Sequence, residues 1–553
     1  MSSHQDYLRA FSSHAQTLSR LNGKQRDPSS LIQEILECWS CSEEPLERGI
    51  CESEVSWERA VTDFLTWLQT LDHENAAYWL GCLYAHLLPA EQRKHQAVYF
   101  TPPLLTEPVL WRIRNMAPKV LLGHIVDPAC GGAAFLVPVL EVVLRLPALK
   151  AMSPEARMSH VEKHIHGADI DPHLIEITRR LLDRSMAKDI RVTGQFPQWD
   201  LRVEDGLNAF DDLNGKVDLV VSNPPYRKLI RTEIETLADQ RLRSLCAGQF
   251  NLYGLFMGRA LDLLRPGGHA GLVTPMSYLS GKTFSHLRSR LIAEAAVTDL
   301  ALVHQKGGVF YGAEQDAVLT ILHKGAKQGQ ARISAISKDG KSLSLGAVKI
   351  EDQDMPWVLP RRSEDLAVLQ ESSRWHLSLK DYGYSIRVGN LVNYRDPRPR
   401  HVERPPDKAD IVPLLWDSHV RAGALRWTPI GTKERPSWVE VANGAQGVIC
   451  RPAVLIQRVS SPEQSKRLVC AALSGAFIKE HRGFIAENHV IVLEAIDPKI
   501  TPERLAQLLN HPTVDRLFSM RASSTNVSIY ELQYLRLPDV SALTGFIGAA
   551  EVL

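Results

Sequence analysis

Cysteine, long apolar runs and net charge are all scarce in this sequence. Eight cysteines are spread over 553 residues, and Cys38 and Cys41 form the one CxxC pair. A structural zinc site needs a second such pair, so the cysteine spacing predicts no metal site. The sequence has no apolar run long enough to span a membrane, and it does not open with a charged segment followed by an apolar one. We therefore expect a cytoplasmic protein with reduced thiols, no metal and no membrane partner.

The changing pattern along the chain predicts three regions. A chain of 553 residues is too long for one ordinary core. Residues 1–95 show helical periodicity, residues 96–330 alternate between strands and helices, and residues 331–553 are irregular. The net charge of +1 argues neither for nor against a polyanionic partner. We expect a helical N-terminal region, an α/β domain and a C-terminal α+β domain.

The α/β region is predicted to hold seven strands separated by crossover segments. They are expected at residues 120–126, 164–170, 200–203, 217–222, 269–274, 297–304 and 317–323. Such alternation is typical of a doubly wound, Rossmann-like sheet with helices on both faces. Ligands bind beyond the carboxyl ends of the strands in these sheets. Four successive strands lead into Asp127, Asp169, Asp205 and Asn223, so a ligand site is predicted there.

Small residues follow the first of these strands. Residues 127–135, here called the glycine loop, read DPACGGAAF and come directly before a predicted helix. Small side chains let the backbone approach a ligand closely, and a helix N-terminus offers free N–H groups. The loop does not match the GxGxxG pattern of dinucleotide-binding proteins. Carboxylates at the following strand ends suit ribose hydroxyls and an adenine amine.

The fourth strand ends in the most informative motif, Asn223-Pro224-Pro225-Tyr226. Two prolines cannot continue a strand, because they lack N–H donors and restrict φ. An amide, a rigid turn and an aromatic ring together can grip a planar amine and stack against its ring. A strand exit with a packed tyrosine is the structural alternative, and these four residues alone leave it open.

Together with residues 99–103 (YFTPP), these motifs resemble the DNA adenine-N6 methyltransferases that use S-adenosyl-L-methionine. The resemblance is to the gamma-class NPPY enzymes, which include type II restriction-modification methylases. It implies a seven-stranded class I methyltransferase domain at residues 96–330 and a C-terminal target-recognition domain at residues 331–553. The Gly308-Val309-Phe310 segment resembles the one whose aromatic ring stacks on a flipped base.

The resemblance also implies roles for individual residues. The expected catalytic residues are Asn223, Pro224, Pro225, Tyr226 and Phe310. The expected cofactor-binding residues are Tyr99, Thr101, Pro102, Asp127, Ala129, Cys130, Gly131, Phe135, Asp169, Ile170, Asp205 and Asn223. Two positions depart from the family pattern. Ala133 replaces a second glycine and is expected to crowd the cofactor slightly, and Asp169 replaces a longer glutamate.

A segment rich in proline and arginine, residues 394–408, lies in the C-terminal region. Arg395, Arg398 and Arg400 are expected to contact phosphates of double-stranded DNA, which would position the duplex without reading its sequence. A solvated charged surface is the alternative. Because the sequence shows no nuclease motif, cleavage in such a system would need a separate cognate restriction endonuclease.

Two alternative hypotheses remain. The first keeps methyl transfer but changes the acceptor, and the second has no methyl transfer. NPPY motifs also occur in enzymes that methylate protein glutamine or guanine N2 in RNA, since both acceptors are planar nitrogen groups. A cytosine-N4 enzyme would more often carry serine in place of Asn223. The other reading is a catalytically inactive DNA-binding subunit, which would bind cofactor without transferring its methyl group.

Overall fold

A computed structural model describes residues 4–22, 30–32, 34–35, 37, 56–89, 91, 93, 100–303, 316–350, 355–406, 410–441, 447–460, 465–521 and 526–548. Tyr99, Phe310 and the pair Cys38 and Cys41 lie outside these residues. The chain divides into two compact units, the first within residues 1–278 and 283–354 and the second within 279–282 and 355–553. The boundary predicted at residue 330 therefore lies about two strands too early.

The N-terminal helices belong to the first unit and do not form a domain of their own. They are α1 (His4–Asn22), α2 (Trp57–Gln69) and α3 (His73–Leu87). Ser56 caps α2 and Asp72 caps α3 by accepting from backbone N–H groups. Phe11, Phe64 and Trp79 are fully buried in the same hydrophobic cluster as residues of the central sheet. One continuous core explains why the predicted boundary at residue 95 is not a domain boundary.

The first unit is built on a nine-stranded sheet. Its strands are β1 (Ile125–Asp127), β2 (Ile165–Asp169), β3 (Asp200–Val203), β4 (Val217–Ser222), β5 (Leu264–Pro275), β6 (Ala295–Val303), β7 (Ala317–Lys324), β8 (Gln330–Ile336) and β9 (Ser342–Lys349). The order is β3-β2-β1-β4-β5-β7-β6-β8-β9. The first five strands in this order, β3, β2, β1, β4 and β5, run parallel to one another. Strand β7 lies between β5 and β6 and runs antiparallel to both.

The sheet corrects the prediction at two places. All seven predicted strands are present, but β8 and β9 extend the sheet to nine. Strand β9 is a largely exposed edge of small and polar residues, so its sequence carries little apolar signal. The first predicted strand is also too long, because Pro118–Leu122 forms a 3-10 helix and β1 starts at Ile125.

Helices connect the strands of the first unit and cover the sheet. They are α4 (Pro103–Met116), α5 (Leu136–Leu144), α6 (Pro147–Lys150), α7 (Pro154–His164), α8 (Pro172–Ser185), α9 (Ala187–Thr193), α10 (Arg231–Thr236), α11 (Gln240–Arg243), α12 (Leu252–Leu263) and α13 (Ser285–Glu294). Helix α4 packs on β5 and β7, α8 packs on β2 and β3, and α12 packs on β4 and β5. The described helices include none that is long and apolar enough to cross a membrane.

The second unit combines small sheets with helices around its own core. Its strands are β10 (Tyr384–Val388), β11 (Arg400–His401), β12 (Ile411–Leu415), β13 (Val420–Arg421), β14 (Ala424–Leu425), β15 (Trp438–Glu440), β16 (Ala453–Gln457), β17 (Cys470–Leu473), β18 (Ile485–Ala486) and β19 (Val490–Ala495). Its helices are α14 (Asp365–Ser372), α15 (Gly475–His481), α16 (Pro502–Leu509), α17 (Pro512–Arg521), α18 (Ile529–Gln533) and α19 (Leu543–Gly548). The strands pair in the orders β10-β19-β16-β17, β11-β15-β12-β18 and β13-β14.

Candidate active site

The strand order of the first unit creates a crevice between β1 and β4. These strands are neighbours, and the chain leaves β1 toward β2 on one side while β4 lies on the other. Such a switch point opens a ligand crevice outside the carboxyl ends of parallel strands. Strand β1 ends at Asp127, β2 ends at Asp169, and Asn223 directly follows β4. The polar residues at the strand ends thus lie at one edge of the sheet.

A cavity of about 200 Å³ lies at this edge. The predicted site residues that line it are Thr101, Asp127, Ala129, Cys130, Gly131, Phe135, Asp169, Ile170, Asp205, Asn223 and Pro225. Pro102, Pro224 and Tyr226 are described in the structure and do not line it. The structure therefore brings together residues that are separated by more than 100 positions in the sequence, in the pattern expected for one ligand site.

The glycine loop is held against the end of β2. Asp169 accepts hydrogen bonds from the Gly131 N–H at 3.1 Å and from the Asp171 N–H at 2.9 Å. The Cys130 N–H donates to the Ala168 carbonyl at 2.9 Å. Burial raises the pKa of Asp169 to about 6, although these backbone donors oppose the shift. A carboxylate held in this way presents its remaining lone pairs to the cavity.

Asp127 is a second acid in the cavity wall, and it is buried. Its side chain accepts from the Ala129 N–H at 3.0 Å and is 1% exposed. Burial raises the pKa of Asp127 to about 7, and the nearby Asp169 charge acts in the same direction. The buried Asp127 and the half-buried Asp169 make the cavity suited to a ligand that carries positive charge or donates hydrogen bonds.

Ala133 was predicted to crowd the cofactor, and the structure shows a different effect. The residue takes a left-handed backbone conformation with φ of 62° and is fully buried, yet it does not line the cavity. A left-handed conformation costs a residue with a Cβ atom about 1–2 kcal/mol. The alanine therefore strains the glycine loop, whereas the sequence predicted that it would crowd the ligand.

Asp171 serves as a helix cap. It accepts from the His173 N–H at 2.9 Å, at the start of α8, and from the Tyr84 hydroxyl at 2.7 Å. Its side chain is buried and also forms part of the cavity wall. The bond from Tyr84 connects the N-terminal helices directly to the site, which the sequence pattern did not indicate.

Thr101 contributes a buried hydroxyl to the cavity wall. The side chain is 1% exposed, and its Oγ1 has no hydrogen-bond partner within the described part of the chain. Buried polar groups are nearly always paired, so an orphaned hydroxyl in a cavity wall favours a polar ligand atom there. Pro102 stands just before α4 and turns the chain into that helix.

The Asn223-Pro224-Pro225-Tyr226 turn forms the wall next to β4. Asn223 and Pro225 line the cavity, and Pro224 is buried and does not line it. The Tyr226 hydroxyl donates to Asn223 Oδ1, and the Val273 carbonyl oxygen lies 3.1 Å from the same hydroxyl. The Tyr226 ring is partly exposed and meets Tyr253 edge-on at 6.2 Å between ring centres. This placement differs from a wholly buried core tyrosine.

Several cavity residues lay outside the predicted set: Phe100, Leu174, Arg227, Leu252 and Phe256. The Phe100 ring packs against the glycine loop, where a Cβ on Gly131 would come within 3.2 Å of it. Phe100 belongs to the YFTPP segment, so its neighbourhood carried a signal. The apolar residues of α8 and α12 carried none, because helical apolar positions are ordinarily core.

A family model described as Eco57I restriction-modification methylase matches residues 163–310. The type II methyltransferase M.BsuBI of Bacillus subtilis is 25% identical over 408 residues, which cover 68% of this chain and 78% of the relative. The chain is a relative of the type II restriction-modification methylases. A shorter match, 34% identical over 182 residues, is to the release factor glutamine methyltransferase of Streptomyces coelicolor, covering 31% of this chain and 52% of that protein.

The fold of this chain also resembles that of a solved structure. The type IIL restriction-modification enzyme MmeI in complex with DNA has a TM-score of 0.55 and 14% identity, with 95% of this chain and 81% of that chain covered. At this identity the likeness concerns the fold alone.

The residues predicted to contact phosphates lie in the second unit. Arg398 pairs with Asp396, donating from Nε at 2.9 Å, and Arg400 donates to the Asn393 carbonyl at 2.5 Å. Arg395 stacks on Tyr394, with 5.1 Å from its guanidinium carbon to the ring centre. Because Arg398 already neutralises an acid, Arg395 is the better candidate of the two for phosphate contact.

Proposed function

We propose that this chain is a site-specific DNA methyltransferase that transfers a methyl group from S-adenosyl-L-methionine to adenine N6. The observation that carries the proposal is the single cavity that joins Asn223 to Asp169 and the glycine loop. The residues present fit the cofactor. Thr101 offers a buried hydroxyl with no hydrogen-bond partner among the described residues, Gly131 leaves room beside Phe100, and buried acids suit a cationic ligand.

Within this proposal, different cavity residues would contact different parts of the cofactor. Asp169 would accept from ribose hydroxyls, and Asp205 would face the adenine end of the cofactor. Thr101 would donate to its amino-acid end, and the nearby Phe100 ring would exclude water there. Bound cofactor would supply an electrophilic methyl group on a sulfonium sulfur. Positioning alone can then provide much of the rate.

The residues after β4 would act on the methyl acceptor. The lone pair of an exocyclic adenine amine is delocalised into the ring, so the amine is a poor nucleophile. Asn223 Oδ1 and the Pro224 carbonyl would accept from N6–H, which favours a more tetrahedral nitrogen. Tyr226 and Phe310 would stack on the extruded base. Each stacked base contributes about 1–3 kcal/mol, which offsets the cost of unstacking it from the duplex.

The second unit is proposed to recognise double-stranded DNA, with residues 331–553 of the predicted target-recognition domain shortened to 355–553. Arg395 would contact a phosphate, and Arg398 and Arg400 would add weaker contacts. Phosphate contacts position a duplex, whereas base-edge contacts specify its sequence. A separate cognate restriction endonuclease is proposed as the partner that cuts unmethylated sites.

Long-read sequencing of cellular DNA tests the proposed reaction. The chain is expressed in cells that lack native DNA methylation, beside an Asn223→Ala variant. We expect N6-methyladenine at one defined sequence motif with the intact chain and none with the variant. A folded and purified protein that leaves DNA unmodified would contradict the proposal.

A second candidate is transfer to a glutamine side chain, favoured by the match to the release factor glutamine methyltransferase. A glutamine amide is also planar and would meet Asn223 in a similar way. The match covers 31% of this chain and leaves the second unit without a role. Labelled cofactor incubated with DNA and with release factor separates the two acceptors, since label would enter one and not the other.

The proposed ribose contact predicts a pH dependence of cofactor binding. Burial raises the pKa of Asp169 to about 6 in the free protein, so the carboxyl group is protonated below that pH. Ribose hydroxyls would bind the ionised form, and protonation must then weaken binding. We expect the Kd for S-adenosyl-L-methionine to rise up to about tenfold per pH unit below about pH 6.

Isothermal titration between about pH 5 and pH 8 measures this effect. Asp127 shifts the same way, because burial raises its pKa to about 7. Asp169→Asn keeps an acceptor oxygen and removes the titrating group. Its Kd for the cofactor should therefore be higher than that of the unmodified protein at high pH, and it should change less with pH. A Kd of the unmodified protein that stays constant over this range would contradict the assigned contact.

A further inference from the structure

A buried acid in the second unit holds an exposed histidine. Glu487 directly follows β18, and its side chain is 3% exposed, whereas the side chain of His489 is 51% exposed. Glu487 accepts from the His489 backbone N–H at 2.8 Å and from ring Nδ1 at 2.9 Å. Burying a carboxylate is costly unless it is hydrogen-bonded, so these bonds stabilise the acid. They also fix the position of the imidazole ring.

The bond to the acid determines which ring nitrogen of His489 carries a hydrogen. A carboxylate accepts hydrogen bonds, so Nδ1 must be the protonated nitrogen. In the neutral ring the lone pair is then on Nε2. Because Nδ1 bonds a buried acid and half of the side chain is exposed, Nε2 is the ring atom that can accept a hydrogen bond from a partner molecule.

The backbone of the β18–β19 turn, residues 487–489, is held by two other segments. The Asn488 N–H donates to the Leu391 carbonyl at 2.9 Å, and the His489 carbonyl accepts from the Arg458 N–H at 2.9 Å. The Arg458 guanidinium also donates from Nη1 to the Asn488 carbonyl at 3.0 Å. A ring carried by such a backbone presents its acceptor in one direction, which suits a contact that must discriminate between groups.

The same turn contacts the segment that leads into the predicted phosphate contacts. Leu391 accepts from Asn488 and lies shortly before Arg395, whose N–H donates to the Val392 carbonyl at 2.9 Å. Tyr394 is 79% exposed, and Arg395 stacks on its ring. A surface that recognises DNA combines contacts that position the phosphates with contacts that specify the bases. The β18–β19 turn is therefore connected directly to the part of the second unit proposed to meet DNA.

The lone pair on Nε2 selects one kind of DNA group. Phosphate oxygens and the guanine O6 and N7 atoms are acceptors, so a neutral imidazole with this tautomer cannot bond them through Nε2. The amino groups at adenine N6 and cytosine N4 are donors at the edge of the major groove. Arginine side chains have no acceptor, so Arg395 and Arg458 cannot replace the histidine at such a group.

We infer that His489 accepts a hydrogen bond from the amino group of an adenine or cytosine in the DNA sequence that the second unit recognises, and that Glu487 is the positioning residue that fixes the accepting nitrogen. The inference rests on the proposed function and names a base-reading contact within it. The base recognised in this way is separate from the adenine that receives the methyl group. Loss of the contact changes which sequences are bound and leaves the phosphate contacts in place.

Selection of bound sequences from a random duplex library tests the inference without depending on methyl transfer. His489→Phe keeps a ring and removes both ring nitrogens. The unmodified protein should select one motif, and the variant should lose its preference at one adenine or cytosine by about 5- to 100-fold, the usual effect of one lost base contact. The other positions of the motif should be unchanged. A variant that selects the same motif as the unmodified protein would overturn the inference.

Removal of single amino groups from the DNA tests the same contact in the unmodified protein. Each adenine of the selected motif is replaced by purine and each cytosine by 2-pyrimidinone, one at a time. At one position the DNA Kd of the unmodified protein should rise by about 5- to 100-fold. The Kd of His489→Phe should rise there by no more than about twofold. Equal losses with both proteins, or no loss at any position, would contradict the assigned contact.

Glu487→Gln tests the positioning role and leaves the histidine itself in place. An amide can donate as well as accept, so the ring is no longer restricted to one tautomer. The same motif position should lose part of its preference, and the dependence of DNA Kd on salt should stay unchanged. A uniform loss of affinity for all sequences with a weaker salt dependence would show a phosphate contact and overturn the inference. This variant also repeats the comparison if His489→Phe does not fold.

His376→Phe is the matched control. His376 is an exposed histidine of the same unit, and its ring Nδ1 lies 3.3 Å from the Arg374 carbonyl oxygen. Removing it should leave the selected motif unchanged. An equal loss of preference in both histidine variants would attribute the effect to general loosening and overturn the inference.

The same measurements separate the inference from the function beneath it. If the unmodified protein selects no sequence, the proposed DNA recognition fails and the inference fails with it. If it selects a motif but transfers no methyl group to adenine, the proposed reaction fails, and the amino-group replacements still decide the base contact. If it selects and methylates a motif that His489→Phe shares, only the inference fails.

Discussion

Replacing Asn223 by alanine is expected to lower single-turnover methyl transfer by about 100- to 1000-fold, the usual cost of losing one preorganised polar group at a reacting centre. The amide lines the cavity beside the glycine loop and is the proposed acceptor for the adenine amine. Cofactor Kd should rise by no more than about fivefold, because one neutral hydrogen bond is worth about 1 kcal/mol. Rapid-quench transfer of labelled methyl groups and isothermal titration measure the two quantities.

Asn115→Ala is the matched control for this prediction. Asn115 is an exposed amide on α4 that donates to the Trp111 carbonyl at 2.8 Å, and it does not line the cavity. Its variant should transfer methyl groups at the normal rate. Near-normal transfer by Asn223→Ala would remove the central residue from the proposed mechanism, whatever the acceptor.

The second large effect is expected from Gly206→Ala. A Cβ atom at this position would lie 1.7 Å from the Pro128 carbonyl oxygen and 2.7 Å from its carbon. Both obstacles are backbone atoms of the glycine loop, so neither can turn aside as a flexible side chain would. Either the glycine loop or the chain after β3 must shift, and both line the cavity.

We expect this shift to weaken binding of S-adenosyl-L-methionine by about 100-fold, since overpacking costs about 1–3 kcal/mol and 1.4 kcal/mol corresponds to a factor of ten. The melting temperature of the free protein should fall as well. Gly329→Ala is the control, because a Cβ there meets no described atom within 4 Å. Unchanged cofactor affinity in Gly206→Ala would argue that the ligand does not depend on the loop after β3.

The strand ends illustrate what could be predicted from the sequence. Asp127 and Asp169 are the last residues of buried strands and Asn223 directly follows one, and the carboxyl ends of parallel strands meet at one edge of a sheet. Local apolar runs therefore predicted both the sheet and the clustering of these residues. The same reasoning missed β8 and β9, because their partly exposed residues carry a weaker apolar pattern.

The cavity wall illustrates what the sequence could not predict. Leu252 and Phe256 line the cavity from α12, yet apolar residues at helical spacing read equally well as core. Asp171 proved to be the cap of α8, fixed by a tyrosine 87 positions earlier in the chain. Arg398 proved to be paired with Asp396, which a count of arginines does not reveal.

The sequence by itself determined the chain order of the first seven strands of the first unit, the glycine loop and the motif after β4. These features follow from local propensity and from spacing along the chain. Only the tertiary structure decided how the N-terminal helices join the same core, that the Thr101 hydroxyl has no hydrogen-bond partner among the described residues, and what the Tyr226 hydroxyl contacts. Such contacts depend on distances between residues far apart in the chain, and those distances are set by packing.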